Sequence, residues 1–357
     1  MYINPLIENL ERKYPSGNRT SILRLDMNEN PGGLPETFVE NIKQEITSEF
    51  LSTYPDKDPL ITSLANFHNI EKNCIAVTDG SEMALKYIFE AFSKPGNYFV
   101  SVIPTFEMYA VYANMYGLKH KAVKIDSQFQ IDIDALLHSI DDETSIVSLL
   151  NPNNPIGRPY TDEEFKLIAD KTREVGALLI IDEAYHYFYK HTQLPLLEEY
   201  NHIVILRTFS KLFSIAACRI GYAISSPTII KMINNVRPTF DTNSIALLFA
   251  NHIINNKSLL DKLIEEELEG RLYLIDALKS AGYEPISDGG NYITFKPKIS
   301  AQVLADKLLK EWNIAIKTSG YDILKDYIRV TTGSIRYMKE FINALLSLDK
   351  LVYHEAI

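Results

Sequence analysis

Residues 203–225 read IVILRTFSKLFSIAACRIGYAIS. The apolar, β-branched run IVILRT (203–208) has the length of one strand, and its lack of polar alternation suits a strand covered on both faces. A second short run, GYAIS (221–225), follows after a polar break that holds Ser210 and Lys211. Upstream, the same kind of run recurs as CIAV (74–77), YFVSV (98–102), TSIVSLL (144–150) and ALLIID (177–182), separated by amphipathic stretches of helical period. Strands alternating with helices predict an α/β unit built on a mainly parallel sheet. One helix start is marked by Thr161 with Glu164 three residues on, a capping-box pattern. Beyond residue 240 the rhythm changes. Leu259, Leu263, Ile264, Leu268, Ile275 and Leu278 mark long helix, and NYITF (291–295) and YIRVTT (327–332) mark strands, which predicts a smaller α+β domain. The expected organisation is an irregular arm over 1–33, a large domain over 34–240 and a small domain over 241–357.

A chain of 357 residues is longer than one hydrophobic core usually fills. With 46% apolar and 23% charged residues it reads as globular, and no apolar run approaches the ~20 residues of a membrane span. The formal net charge of −10 is spread without a Lys/Arg run, which argues against nucleic-acid or membrane-surface partners and leaves small-molecule substrates. Anionic ligands would then need a locally basic pocket. The two cysteines, Cys74 and Cys218, form no CxxC, and the eight histidines show no ligand spacing, so no metal is expected. A cytoplasmic location fits. Cys218 and Trp312 read as buried core residues.

In open α/β sheets, ligands bind beyond the carboxyl ends of the strands. Four polar segments occupy such places: Asp79-Gly80-Ser81-Glu82, Asn153-Asn154-Pro155, Asp182-Glu183-Ala184-Tyr185 and Thr208-Phe209-Ser210-Lys211. A glycine before a helix start offers free N–H groups to an anion, although by itself Gly80-Ser81 is an ordinary turn. Asp182 ends an apolar run and needs a cationic partner if it is buried, or else it serves equally as a helix N-cap. Lys211 follows another such run, where burial would lower an amine's pKa towards use as a nucleophile, although taken singly such a lysine is more often a surface residue.

Taken together these segments resemble the fold-type I pyridoxal 5'-phosphate (PLP) enzymes of the aspartate aminotransferase superfamily. The residues that carry the resemblance are Asn154-Pro155-Ile156-Gly157, Asp182-Glu183-Ala184-Tyr185, Thr208-Phe209-Ser210-Lys211, Arg219 and Arg329, in order over almost the whole chain. The resemblance implies PLP as cofactor, bound covalently by Lys211, which also moves the substrate proton. It implies Asp182 at the pyridine nitrogen, Asn154 and Tyr185 at the phenolic oxygen, and Phe106 stacked on the ring. Thr208, Ser210, Arg219, Gly80 and the N–H groups of Ser81 and Glu82 are implied for the phosphate.

Within that superfamily the chain is similar to the histidinol-phosphate aminotransferases, through Asp26-Met27-Asn28-Glu29-Asn30-Pro31, Tyr54-Pro55-Asp56 and Ile328-Arg329-Val330-Thr331-Thr332-Gly333. This implies a homodimer in which Tyr54 reaches the partner's phosphate site, and a substrate end formed by Asn28, Arg329 and Lys317. The chain departs from the group in carrying Lys317 where an arginine is usual, and in the order Tyr14-Pro15-Ser16-Gly17. Two relatives of this reading stay open: an aminotransferase for another phosphorylated ketone or an aromatic amino acid, and a decarboxylase of amino-acid phosphates. A catalytically silent binding module on the same scaffold is disfavoured by the intact lysine.

Overall fold

A computed structural model describes residues 1–8, 10 and 18–355. The strands are β1 (Leu23–Leu25), β2 (Ile75–Thr78), β3 (Tyr98–Ile103), β4 (Lys119–Lys124), β5 (Thr144–Leu150), β6 (Leu178–Asp182), β7 (Ile203–Thr208), β8 (Gly221–Ser225), β9 (Tyr292–Phe295), β10 (Ile314–Thr318) and β11 (Ile328–Thr331). Seven of them form one sheet in the order β2-β8-β7-β6-β5-β3-β4. From β4 to β7 the pairing is parallel, as the alternation of strands with helices predicts, and β6 and β7 are buried along their whole length.

β8 is the exception, running antiparallel to both β7 and β2. A parallel return needs a long crossover, usually a helix. The link 209–220 holds only a short 3-10 turn, Ala216–Cys218, so the chain doubles back. The register then sets Gly221 beside both Thr208 and Thr78, which brings the ends of β2 and β7 to one point at the sheet edge.

The helix Asp162–Val175 starts as expected: Thr161 Oγ1 accepts from the Glu164 N–H at 3.1 Å, and the Glu164 carboxylate accepts from the Thr161 N–H at 2.9 Å. β1 corrects the expectation of a wholly irregular arm. It pairs in parallel with β10 in a second sheet of order β1-β10-β11-β9, and so delivers residues 26–30 to the space between the two sheets.

The hydrophobic interior has two parts. The larger runs from Ile42 to Leu263 with Tyr292 and Leu324, and the smaller gathers Leu25, Leu274, Phe295, Val330 and Phe341 among others. The helix Ser244–Ile254 and the first turns of Lys257–Ser280 belong to the larger part, so the change of core falls inside the long helix rather than at residue 240. Trp312, at the end of the helix Ala301–Trp312, is 38% exposed instead of buried, and Cys218 is half-buried. Tyr14-Pro15-Ser16-Gly17 lies outside the described residues. Among the described residues no helix is long and apolar enough to cross a membrane.

Candidate active site

Two adjoining cavities open beyond the carboxyl ends of β5, β6 and β7. The inner, of about 220 Å³, is lined by Ser81, Glu82, Phe106, Asp182, Tyr185, Thr208, Ser210, Lys211 and Arg219, among others. The outer, of about 330 Å³, is lined by Asn28, Phe106, Asn154, Tyr185, Lys211, Lys317 and Arg329, together with Met27, Tyr321, Leu324 and Tyr327. Phe106, Tyr185 and Lys211 belong to both walls. Of the expected site residues, Tyr54 alone stands apart: it is 76% exposed and stacks on Phe240, with ring centroids 4.3 Å apart.

Asp182 is buried at the end of β6, where its Oδ2 accepts from the Tyr109 hydroxyl at 2.8 Å and its Oδ1 from the Ala184 N–H at 3.0 Å. No cation among the described residues forms an ion pair with it, and burial pushes its carboxyl up to about 6. Sequence alone calls for a cationic partner; the charge of Lys211 favours the carboxylate, but no ion pair forms among the described residues. The carboxylate faces the cavity in need of one.

Tyr185 is held by two amides. Asn28 Nδ2 donates to its oxygen at 2.7 Å and Asn154 Nδ2 at 3.0 Å. The orientation of Asn154 is fixed by Arg329, a donor only, whose guanidinium donates to Asn154 Oδ1 at 2.7 Å. Both lone pairs of the Tyr185 oxygen are therefore used, and its proton remains for an acceptor in the cavity. Arg329 also donates to the Asp26 carbonyl, while its Nε is buried without a partner.

Lys211 Nζ donates to the Met27 carbonyl at 3.0 Å, a contact that the β1 register makes possible. Burial, reinforced by the charges of Arg329 and Arg219, lowers its amine to about 8. About a tenth is thus neutral, and nucleophilic, at pH 7, far more than for an ordinary lysine amine.

The far end of the inner cavity is built for an anion. Gly80, with φ +80°, precedes the helix Ser81–Phe92 and offers no capping side chain, so the first N–H groups of that helix lie open. Arg219 Nη2 lies 2.8 Å from the place a Cβ on Gly80 would take, so any larger residue there would displace the guanidinium. Arg219 also reaches Ser210 Oγ at 3.4 Å, and Thr208 Oγ1 accepts from the Ser210 N–H at 3.1 Å. The Glu82 side chain is engaged elsewhere, its carboxylate accepting from Tyr112 at 3.1 Å.

Sequence reasoning missed several contributors. Tyr109, fully buried, is one helical turn past Phe106 and meets its ring edge-on, but nothing in the sequence tells it from other core tyrosines. Gly221 was read as strand only, yet a Cβ there would lie 2.4 Å from the Ser81 nitrogen. Arg207, inside β7, forms a buried pair with Glu183 at 2.7 Å, and the strand pattern gave no hint of it. Paired this way, two charges can sit beneath the site without unsatisfied groups, although removing one partner commonly costs ~3–5 kcal/mol.

A cavity that holds a carboxylate without an ion pair, an open helix terminus with an arginine, and a lysine whose amine is lowered to about 8 fits PLP. In it Asp182 could serve a ring nitrogen, Tyr185 a ring oxygen, and Arg219 with the Gly80 turn a phosphate. The aminotransferase class I and II family matches residues 20–345. The chain is 31% identical over 323 residues to a histidinol-phosphate aminotransferase of Pyrococcus furiosus, covering 90% of each chain. It is 31% identical over 336 residues to histidinol-phosphate aminotransferase 2 of Oceanobacillus iheyensis, covering 92% of this chain and 91% of that one. Its fold superposes on the histidinol-phosphate aminotransferase of Sinorhizobium meliloti in complex with PLP, with a TM-score of 0.85, 22% identity and coverage of 97% and 98%. The chain belongs to the class I and II aminotransferases and is a PLP-dependent transaminase.

Proposed function

We propose that the enzyme exchanges an amino group between glutamate/2-oxoglutarate and a small phosphorylated amine, with histidinol phosphate the first candidate, and that it works as a cytoplasmic homodimer. Lys211 carries the cofactor, Asp182 pairs with its ring nitrogen, and Asn154 and Tyr185 hold its phenolic oxygen. Thr208, Ser210, Arg219 and the N–H groups after Gly80 hold its phosphate, and Phe106 covers the ring. Bound there, PLP supplies an electron sink for the pair of electrons left when the substrate Cα loses its proton. Lys211 Nζ takes that proton as a base and returns one as an acid, a task suited to an amine lowered to about 8.

The observation that carries the substrate reading is the pairing of Lys317 directly opposite Arg329 across β10 and β11. Directly opposed residues share a face, and both line the outer cavity. Two like charges so placed repel, and an anion between them relieves the repulsion. A dianion is otherwise repelled at long range by a chain of net charge −10, so its binding depends on this local pair and weakens as salt rises. The names of the relatives support histidinol phosphate. Lys317 supports a second reading, a smaller phosphate ester, because one ammonium lacks the bidentate fork of an arginine.

Turnover of histidinol phosphate, histidinol, serinol phosphate and phenylalanine with 2-oxoglutarate, before and after Lys317→Ala, tests this. Phosphates should react best, and Lys317→Ala should erase much of their advantage. Equal rates for the unphosphorylated amines, with an unchanged ranking in the variant, would replace this reading with an ordinary amino-acid aminotransferase. Release of CO₂ from an amino-acid phosphate would replace it with the decarboxylase.

A further inference from the structure

Asp241 lines neither cavity, yet four donors from three elements converge on its carboxylate. Arg237, just beyond the helix Pro227–Val236, donates through Nε at 2.9 Å and through Nη2. Lys57, at the start of the helix Asp58–His68, donates at 2.9 Å, and the Tyr87 hydroxyl at 3.1 Å. The side chains of Asp241 and Arg237 are only 4% and 5% exposed. Tyr87 lies in the helix Ser81–Phe92, whose N-terminus is the anion cradle. Arg237 Nη2 also donates to the carbonyl of Val77 in β2, the strand that leads into Gly80. The network therefore grips the chain on both sides of the Gly80 turn, through the strand before it and the helix after it.

We propose that Asp241 is a positioning residue for the cofactor's phosphate: by holding Arg237 and Tyr87 at once, it fixes the Gly80 turn against Arg219. This rests on the phosphate role proposed above for the Gly80 turn and Arg219. The sign of the effect separates position from charge. Deleting a carboxylate near a bound dianion strengthens its binding through space, because one repulsion is lost. Loss of position weakens it.

The test titrates the cofactor-free wild type and Asp241→Asn with PLP and with pyridoxal, which lacks the phosphate, following absorbance to obtain Kd. In the wild type PLP binds far more tightly than pyridoxal. In Asp241→Asn, PLP affinity falls by about tenfold or more while pyridoxal stays within about threefold, as expected when only the phosphate contacts are misplaced. PLP affinity that is unchanged or increased, or a parallel fall for both ligands, overturns the role of Asp241. A wild type that binds both ligands equally removes the cradle itself, and this role with it. Should Asp241→Asn fail to fold, Tyr87→Phe decides: loss of one hydrogen bond lowers the preference for PLP over pyridoxal by about threefold, and an unchanged preference overturns the proposal.

Discussion

Asp182→Asn in the cofactor-free protein isolates the cost of an uncompensated carboxylate. The folded carboxyl titrates at about 6, against an ordinary value of 3.8, because burial disfavours its charge. Between those values the unfolded chain has lost a proton that the folded chain retains, so the stability contributed by this group falls as pH rises from about 4 and levels off above about 6. The total loss is about 3 kcal/mol, of which about 1.4 kcal/mol falls between about pH 5 and pH 7.5. Asparagine has no such proton. Its rearranged bonds to Tyr109 and Ala184 carry a penalty of their own, but that penalty is the same at both pH values and cancels in the difference. Urea denaturation of both cofactor-free proteins at the two pH values should show the variant gaining about 1.4 kcal/mol on the wild type at the higher pH. A difference between the two proteins that does not change with pH, or that moves in favour of the wild type, would refute the uncompensated carboxylate. With PLP bound the order reverses, since the variant cannot form the ion pair, and kcat should fall ~100-fold, equivalent to ~3 kcal/mol.

Cofactor capture by the cofactor-free enzyme should accelerate through about pH 8 as the Lys211 amine loses its proton, and a flat stopped-flow profile between about pH 7 and 9 would count against that titration. Gly221→Ala forces a Cβ against the Ser81 nitrogen and the Arg207 carbonyl, so it should lower stability by about 2 kcal/mol and weaken PLP binding, as read by denaturation and titration; a neutral effect would show that the edge can spread. Mixing inactive Lys211→Ala with inactive Tyr54→Ala protein should restore about a quarter of wild-type activity if each site borrows Tyr54 from a symmetric partner, and a fully active monomer would contradict this.

The strands that carry the site were legible because they are buried on both faces and read as unbroken apolar runs. TSIVSLL, IVILRT and GYAIS coincide with β5, β7 and β8 residue for residue. β4, KHKAVK, escaped notice because it borders only β3 and is mostly exposed, so its residues need not be apolar. β1 is three residues long, too short for any periodicity, yet it places the Met27 carbonyl at Lys211 and Asn28 at Tyr185. Composition likewise says nothing of strand direction, which the short link 209–220 decided for β8. Within the site, Lys211, Asp182, Tyr185 and Asn154 lie in polar segments that follow apolar runs, and only the family resemblance gave each of them an expected role. Tyr109 and the Asp241 network were not, because their roles come from contacts between segments far apart in sequence.

The central claim is that Lys211 is the residue that binds PLP covalently, and reduction of the PLP-loaded protein with borohydride followed by peptide mapping tests it directly. The cofactor should be fixed to the single peptide that contains Lys211, and Lys211→Ala should be colourless and inactive. Recovery of the label on any other lysine, or a yellow and active Lys211→Ala protein, would contradict the assignment.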